Sequence, residues 1–197
     1  MKRLCRLFVV SFALMMCVWS AAYAEATPKT MIYKANKALE INPNDAKAYY
    51  NRGTAYLKLD DFDAAITDLT KSIAIEPKAA DVYFNRGMAY RLQKKNDEAL
   101  KDFSKAIELF ADNWAYYHER CNARIVTADY AGAVADGAQM VRLSPKDADS
   151  YFMNGLAKYL GGDLGGGLAD AEKALQIKSW HAEALRLKTE ILQKKQG

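Results

Sequence analysis

Tyr49 and Tyr56, and again Tyr83 and Tyr90, stand seven residues apart, the interval that returns a side chain to one face of an α-helix. A glycine, Gly53 or Gly87, lies inside each pair. Polar residues follow, Asp60 and Asp61 or Asn96 and Asp97, which break a first helix and cap a second. The second helix carries Ala65 and Leu69, or Ala99 and Phe103, and is stopped by Pro77 in one case and by Pro145 further on. The pattern predicts pairs of amphipathic helices joined by short turns. A lone helix precedes them in TMIYKANKALEINP, with Ala35 and Ala38 at small positions. Another follows in AEALRLKTEILQKKQG, with Leu185, Ile191 and Leu192 on its inner side and Lys194 and Lys195 at its C-terminal end.

The pairs recur. Tyr49 to Tyr83, Gly53 to Gly87 and Tyr56 to Tyr90 share one interval, and Cys121 and Gly155 fall at the same phase as the glycines. The unit 46–79 holds Tyr49, Gly53, Tyr56, Ala65, Leu69, Ser72 and Pro77; the unit 80–113 holds Tyr83, Gly87, Tyr90, Ala99, Phe103 and Ala106, with Ala111 in the proline place. This period and residue set resemble the tetratricopeptide repeat (TPR). The units 114–147 and 148–181 are degenerate: the first keeps Tyr117, Ala133 and Pro145 but has Cys121, Arg124 and Gly137 in the small, aromatic and large apolar places, and the second keeps Tyr151, Gly155 and Ala174.

The resemblance implies an all-α solenoid, a right-handed superhelix of antiparallel helix pairs, because a single pair cannot bury its apolar face and stacking must supply the core. The expected layout is a leader over 1–24, a half repeat over 25–45, the four units, and a capping helix over 182–197. Glycine inside a helix costs about 1 kcal/mol relative to alanine. Close approach of the partner helix at Ala65 or Ala99 is the expected compensation.

The N-terminus changes the composition. Lys2, Arg3 and Arg6 precede an apolar run over 7–19, and Ala22-Tyr23-Ala24 offers the small-x-small pattern of a signal peptidase site, so export with cleavage after Ala24 is expected, to the periplasm, or outside the cell, if the source is bacterial. The rival is an uncleaved anchor, since 7–24 is uncharged throughout and sits at the low edge of what can span a bilayer. Lipidation at Cys17 is disfavoured by Met16, which stands where a small residue is required. Three of the 28 basic residues leave with the leader, so 25 face 24 acidic ones, a net charge of +1. The basic character therefore gives no support for nucleic-acid binding. Cys5 and Cys17 also leave, and Cys121 alone can form no internal disulfide. No further membrane span is expected beyond the leader.

Chemistry is sparse. His118 and Cys121, three apart on one helix, suggest a shared metal or an activated thiol, but two ligands are too few for a typical zinc site. KLDDFDAAITD lacks the glycine and glutamate of a calcium loop, and GGDLGGG lacks the Gly-Lys-Ser/Thr ending of a phosphate loop. No cofactor, metal or catalytic constellation is expected, and an enzyme would need a site the sequence does not display.

The TPR resemblance implies instead a binding module whose first helices line a concave groove. Carried onto this chain, its recurring positions give Tyr50, Phe84, His118 and Phe152; then Asn51, Asn85, Glu119 and Met153; then Thr54, Met88, Asn122 and Leu156; then Leu57, Arg91, Ile125 and Tyr159. In relatives, asparagine at the second position holds a peptide backbone, for which one amide supplies both donor and acceptor. Asn51 and Asn85 would form a two-rung ladder, the alternative being bonds within their own helices. The aromatic and methionine content suits a partly apolar protein or peptide ligand. A carboxylate clamp is disfavoured by Tyr50, Ala115 and Glu119. Arg52, Arg86 and Arg120 recur beside these positions and are expected to pair with acids such as Asp68 or Asp102. A second reading stays open: a structural subunit of a cell-envelope assembly, docking through its convex face or the helix over 32–41.

Overall fold

A computed structural model describes residues 27–196, and the expected leader, with Cys5 and Cys17, lies outside them. The described residues form ten α-helices and no strand: α1 Pro28–Ile41, α2 Ala46–Leu57, α3 Phe62–Ile75, α4 Ala80–Leu92, α5 Asn96–Leu109, α6 Trp114–Val126, α7 Tyr130–Leu143, α8 Ala148–Leu160, α9 Leu164–Ile177 and α10 Ala182–Lys194. The starts of α2, α4, α6, α8 and α10 are evenly spaced at the interval of the sequence repeat, and so are those of α1, α3, α5, α7 and α9. The fold is an all-α solenoid of repeated helix pairs.

Turn chemistry explains the spacing. Between first and second helices, Asp60, Lys94, Ala128 and Gly162 all have positive φ, a conformation that glycine adopts freely, aspartate tolerates and lysine or alanine adopts at a cost. The next residue is the N-cap, and Asp61, Asp129 and Asp163 each accept a backbone N–H there. The expectation that Asn96 and Asp97 cap their helix is corrected: the turn ends one residue earlier, Lys95 holds the N-cap without a side-chain bond, and both residues lie inside α5. The first helices are capped by Asp45, Asn113, Asp147 and the ring of His181, while Ala79 offers no side-chain acceptor.

The helices fall into two compact units, one up to Pro77 and one from Lys78. In the first, α2 packs against α1 and α3 around Ala35, Ala48, Ala55, Ala65 and Leu69. Gly53 leaves room chiefly for the Leu69 side chain, because a Cβ there would lie 2.8 Å from Leu69 Cγ and 3.2 Å from the Ala65 carbonyl oxygen. The close approach expected at Ala65 is thus to its backbone.

In the second unit each helix packs on the next, and α4 with α6, α6 with α8 and α8 with α10 also touch. Gly87 accommodates Phe103, whose Cε1 would sit 2.7 Å from an added Cβ. One period later the sizes invert: Cys121 fills the small place, Gly137 stands where Leu69 and Phe103 stood, and Asn154 of α8 closes on Gly137, its Cα 2.8 Å from a would-be Cβ. The degenerate letters are therefore a compensated swap, larger on one helix and smaller on the other. The cluster of Tyr117, Cys121, Ala133, Met140, Met153 and Ala157 surrounds it.

A second regularity crosses the pairs. Arg52 donates from Nε and Nη2 to Asp68, Arg86 to Asp102 and Arg120 to Asp136, always sixteen residues on. In the last pair Asn154 takes the arginine place, and Lys158 supplies the charge to Asp170 at 2.7 Å.

The inner face assigned to α10 is corrected in part. Ile191 is buried together with Ala184 and Leu187, whereas Leu185 is 56% and Leu192 38% exposed. The cause is periodic: Leu185 and Leu192 occupy the phase of Tyr49 and Tyr56, which in earlier pairs faces a following second helix, and no described helix follows α10.

Candidate functional site

Within the second unit, the expected ligand positions come together on three first helices: Phe84, Asn85, Met88 and Arg91 on α4, His118, Glu119 and Asn122 on α6, and Phe152 on α8. Arg91 and Glu119 bridge α4 to α6, with Nε and Oε2 3.0 Å apart, meeting as charges without a well-directed hydrogen bond at either atom. Glu119 Oε1 lies 3.3 Å from His118 Nδ1, and the Asn122 amide nitrogen is 3.4 Å from the same ring. The His118 ring stacks on Trp114, centroids 4.8 Å apart and planes 19° from parallel. Trp114 Nε1 donates to the buried Ser150 Oγ at 2.7 Å, tying α6 to α8. A polar row thus runs across two helices, flanked by Met88 and the indole, and its members are half-buried.

Phe84 and Phe152 commit much of their surface to packing. Phe84 lies 4.9 Å from the Tyr116 ring and 5.8 Å from Phe103, and Phe152 packs against three core clusters as well as His181. In the first unit Tyr50, Asn51 and Thr54 are half-buried on α2. Asn51 lines a cleft of about 310 Å³ with Met31, Ala35 and Ala48, between α1 and α2.

His118 and Cys121 do not act together. Cys121 is fully buried and its Sγ donates to the Ala133 carbonyl at 3.4 Å. Burial first, and then the Asp136 charge, push its pKa from 9.0 to about 12 against the opposing pull of Arg124. The thiol is protonated and enclosed, the opposite of an activated nucleophile. Among the described residues no group of three or more His, Cys, Asp or Glu side chains is placed to hold a metal ion. None of the described helices is long and apolar enough to cross a membrane.

Trp114 and Ser150 escaped the sequence reading. A signal was present for the first: Ala46, Ala80, Ala148 and Ala182 open the other first helices, and Trp114 alone departs from alanine.

Comparison with known proteins follows the same lines. The tetratricopeptide repeat family model matches residues 46–79 and 80–113. No curated protein matches. Among solved structures, YrrB, described as a TPR protein with an unusual peptide-binding site, shares 20% identity at a TM-score of 0.76, covering 87% of each chain. MamA shares 20% identity at a TM-score of 0.74, over 81% of this chain and 95% of its own. The first TPR of Spaghetti (RPAP3), bound to the HSP90 peptide SRMEEVD, shares 24% identity at a TM-score of 0.57, over 60% of this chain and 94% of its own. These likenesses concern the fold, and the chain carries tetratricopeptide repeats, two of them matched over 46–79 and 80–113, in a TPR-type solenoid.

Proposed function

We propose that the protein is an exported, non-catalytic interaction module that holds a peptide or an extended protein segment against the wall formed by α4, α6 and α8. The observation that carries this reading is the half-buried row of Arg91, Glu119, His118 and Asn122, contributed by two adjacent helices and flanked by Met88 and Trp114. Such a row offers donors and acceptors to a peptide backbone beside apolar surface that suits side chains. Asn85 stands one turn before Met88 and nearly two before Arg91 on the same helix and is the backbone-holding residue in this reading. YrrB and the Spaghetti TPR, by their descriptions, use this kind of fold to bind peptides.

The test is binding of an immobilised peptide array to the chain. Replacing Asn85 and Asn122 together by alanine should weaken capture about tenfold with helicity unchanged, the scale expected from losing two hydrogen bonds. Equal capture would remove the wall as the binding face. Export rests on the leader pattern over 1–24 and predicts that protein recovered from the cell envelope fraction begins at Glu25; recovery with Met1 intact would favour the anchored alternative.

A second reading, a subunit of an envelope assembly, is favoured by α1, on which Tyr33 is 64% and Ile41 86% exposed. It predicts a complex that survives substitution of the wall and is lost on Tyr33→Ser with Ile41→Ser.

A further inference from the structure

The first helices carry uncharged residues at the Arg91 and Glu119 columns everywhere else. The Arg91 column reads Leu57, Arg91, Ile125, Tyr159, and the Glu119 column reads Asn51, Asn85, Glu119, Met153. Each column holds one charged member, in neighbouring repeats, and those two side chains touch at 3.0 Å. The charged members of the two columns thus face each other as a pair.

Their burial decides what the pair does. The Glu119 side chain is 16% exposed and sits between Arg91 and His118, and Arg91 is 32% exposed. An acidic ligand reaching Arg91 meets a guanidinium whose Nε already faces Glu119, and it brings a second negative charge close to that half-buried carboxylate. A basic ligand meets the mirror problem, since Glu119 is already flanked by Arg91 and His118 and the ligand would face the Arg91 charge. An uncharged segment disturbs neither, and Met88, Trp114 and the exposed part of Phe84 give it apolar surface to cover. We infer that the Arg91–Glu119 pair sets the ligand class of this wall: it excludes acidic and basic segments and admits an uncharged aliphatic or aromatic peptide. The inference rests on the wall being the peptide-binding face. Given that, Arg91 and Glu119 act as specificity-determining residues.

The experiment compares fluorescein-labelled peptide panels of equal length, one of uncharged aliphatic and aromatic residues, one with Glu substituted at successive positions, one with Lys. The full chain should prefer the uncharged panel by about tenfold or more, the size of an unfavourable half-buried charge contact. Glu119→Gln uncovers Arg91 and should raise affinity for Glu-containing peptides about tenfold, a gain that added salt reduces. Arg91→Gln uncovers Glu119 and should do the same for Lys-containing peptides. The double variant removes both charges, so it should lose the discrimination and bind the three panels with similar affinity, its circular dichroism spectrum serving as the control for folding. An unchanged ratio of acidic to uncharged binding in Glu119→Gln overturns the inference while leaving the wall as a binding face. Failure of every panel to bind any of the four proteins overturns the wall itself, and the inference with it.

Discussion

Arg86 grips Asp102 through two parallel bonds, Nε to Oδ2 and Nη2 to Oδ1, both 2.8 Å, and so locks the first helix of its repeat onto the second. The hydrogen bond to Asp102 outweighs the desolvation of the guanidinium and raises its pKa above the ordinary value. Both side chains are largely buried, Arg86 at 17% and Asp102 at 8% exposure. Breaking such a pair strands a charge, so Asp102→Ala should cost about 3 kcal/mol. Removing both charges at once, Arg86→Met with Asp102→Leu, should cost much less, because it leaves nothing unpaired. Urea unfolding of the two variants and the parent chain measures the difference; equal losses would mean that the pair acts only through its packing.

The repeat over 80–113 is the one without side-chain caps, since Ala79 and Lys95 stand at both of its N-cap positions. Ala79→Asp and Lys95→Asp should each stabilise it by about 1 kcal/mol, as Asp45 and Asp61 do in the preceding repeat. Lys94, with φ of 62°, should gain about 1 kcal/mol on replacement by glycine. Thermal midpoints of the single variants check each step, and a loss at Lys95→Asp would show that lysine there has a partner worth more than a cap.

The helices and their order were legible because stacking needs the same residue types at every period, and Tyr49, Gly53 and Pro77 announce that need locally. The capping register was not, because Asn96 and Asp97 have cap chemistry and only backbone conformation reveals that the turn ends before them. Leu185 and Leu192 misled for a related reason: an apolar stripe states which face is suited to burial, and only the presence of a following helix decides whether it is buried. The wall residues could be enumerated from the repeat, yet the pairing of Arg91 with Glu119 depends on how two helices sit side by side, which no single period contains.

Gly87 tests the size exchange seen between repeats. Gly87→Ala places a methyl group 2.7 Å from the buried Phe103 ring, which has nowhere to move, so overpacking should outweigh the helix-propensity gain of about 1 kcal/mol. The cost should fall sharply in a Phe103→Ala background, as the Cys121 and Gly137 combination anticipates. Additive losses in the double-mutant cycle would disprove direct steric conflict.

Cys121 gives the chain a defined alkaline weakness. Its folded pKa is raised to about 12 from an ordinary 9.0, so the folded state holds its proton where the unfolded thiol loses it. The stabilisation is complete below pH 9 and is lost as pH rises toward 12. Cys121→Ala should flatten stability across that window relative to the parent chain, measured by urea midpoints at successive pH values. The native thiol should also resist alkylation until the chain unfolds; rapid labelling of the folded protein would contradict its burial.

The start of α9 carries Gly165, Gly166 and Gly167, which together cost about 3 kcal/mol in helix propensity. A Cβ at Gly166 would collide with the capping Asp163 carboxylate, and Gly167 is confined by the neighbouring helices, so Gly165 alone is unconstrained. Gly167 is buried, and a Cβ there would stand 3.0 Å from the Gly155 carbonyl and 3.3 Å from Ile191 Cδ1, so Gly167→Ala should destabilise the junction of α8, α9 and α10. Gly165 is exposed, with nothing nearer to its added Cβ than Asp163 Oδ1 at 3.7 Å, and Gly165→Ala should stabilise by about 1 kcal/mol. Backbone amides over 165–171 should exchange faster than those over 63–72, the matching turns of α3, where Asp63, Ala64 and Ala65 replace the glycines. Gly165→Ala should narrow that difference. Equal protection in the parent chain would show that packing on Ile191 and Leu187 has already offset the glycine cost.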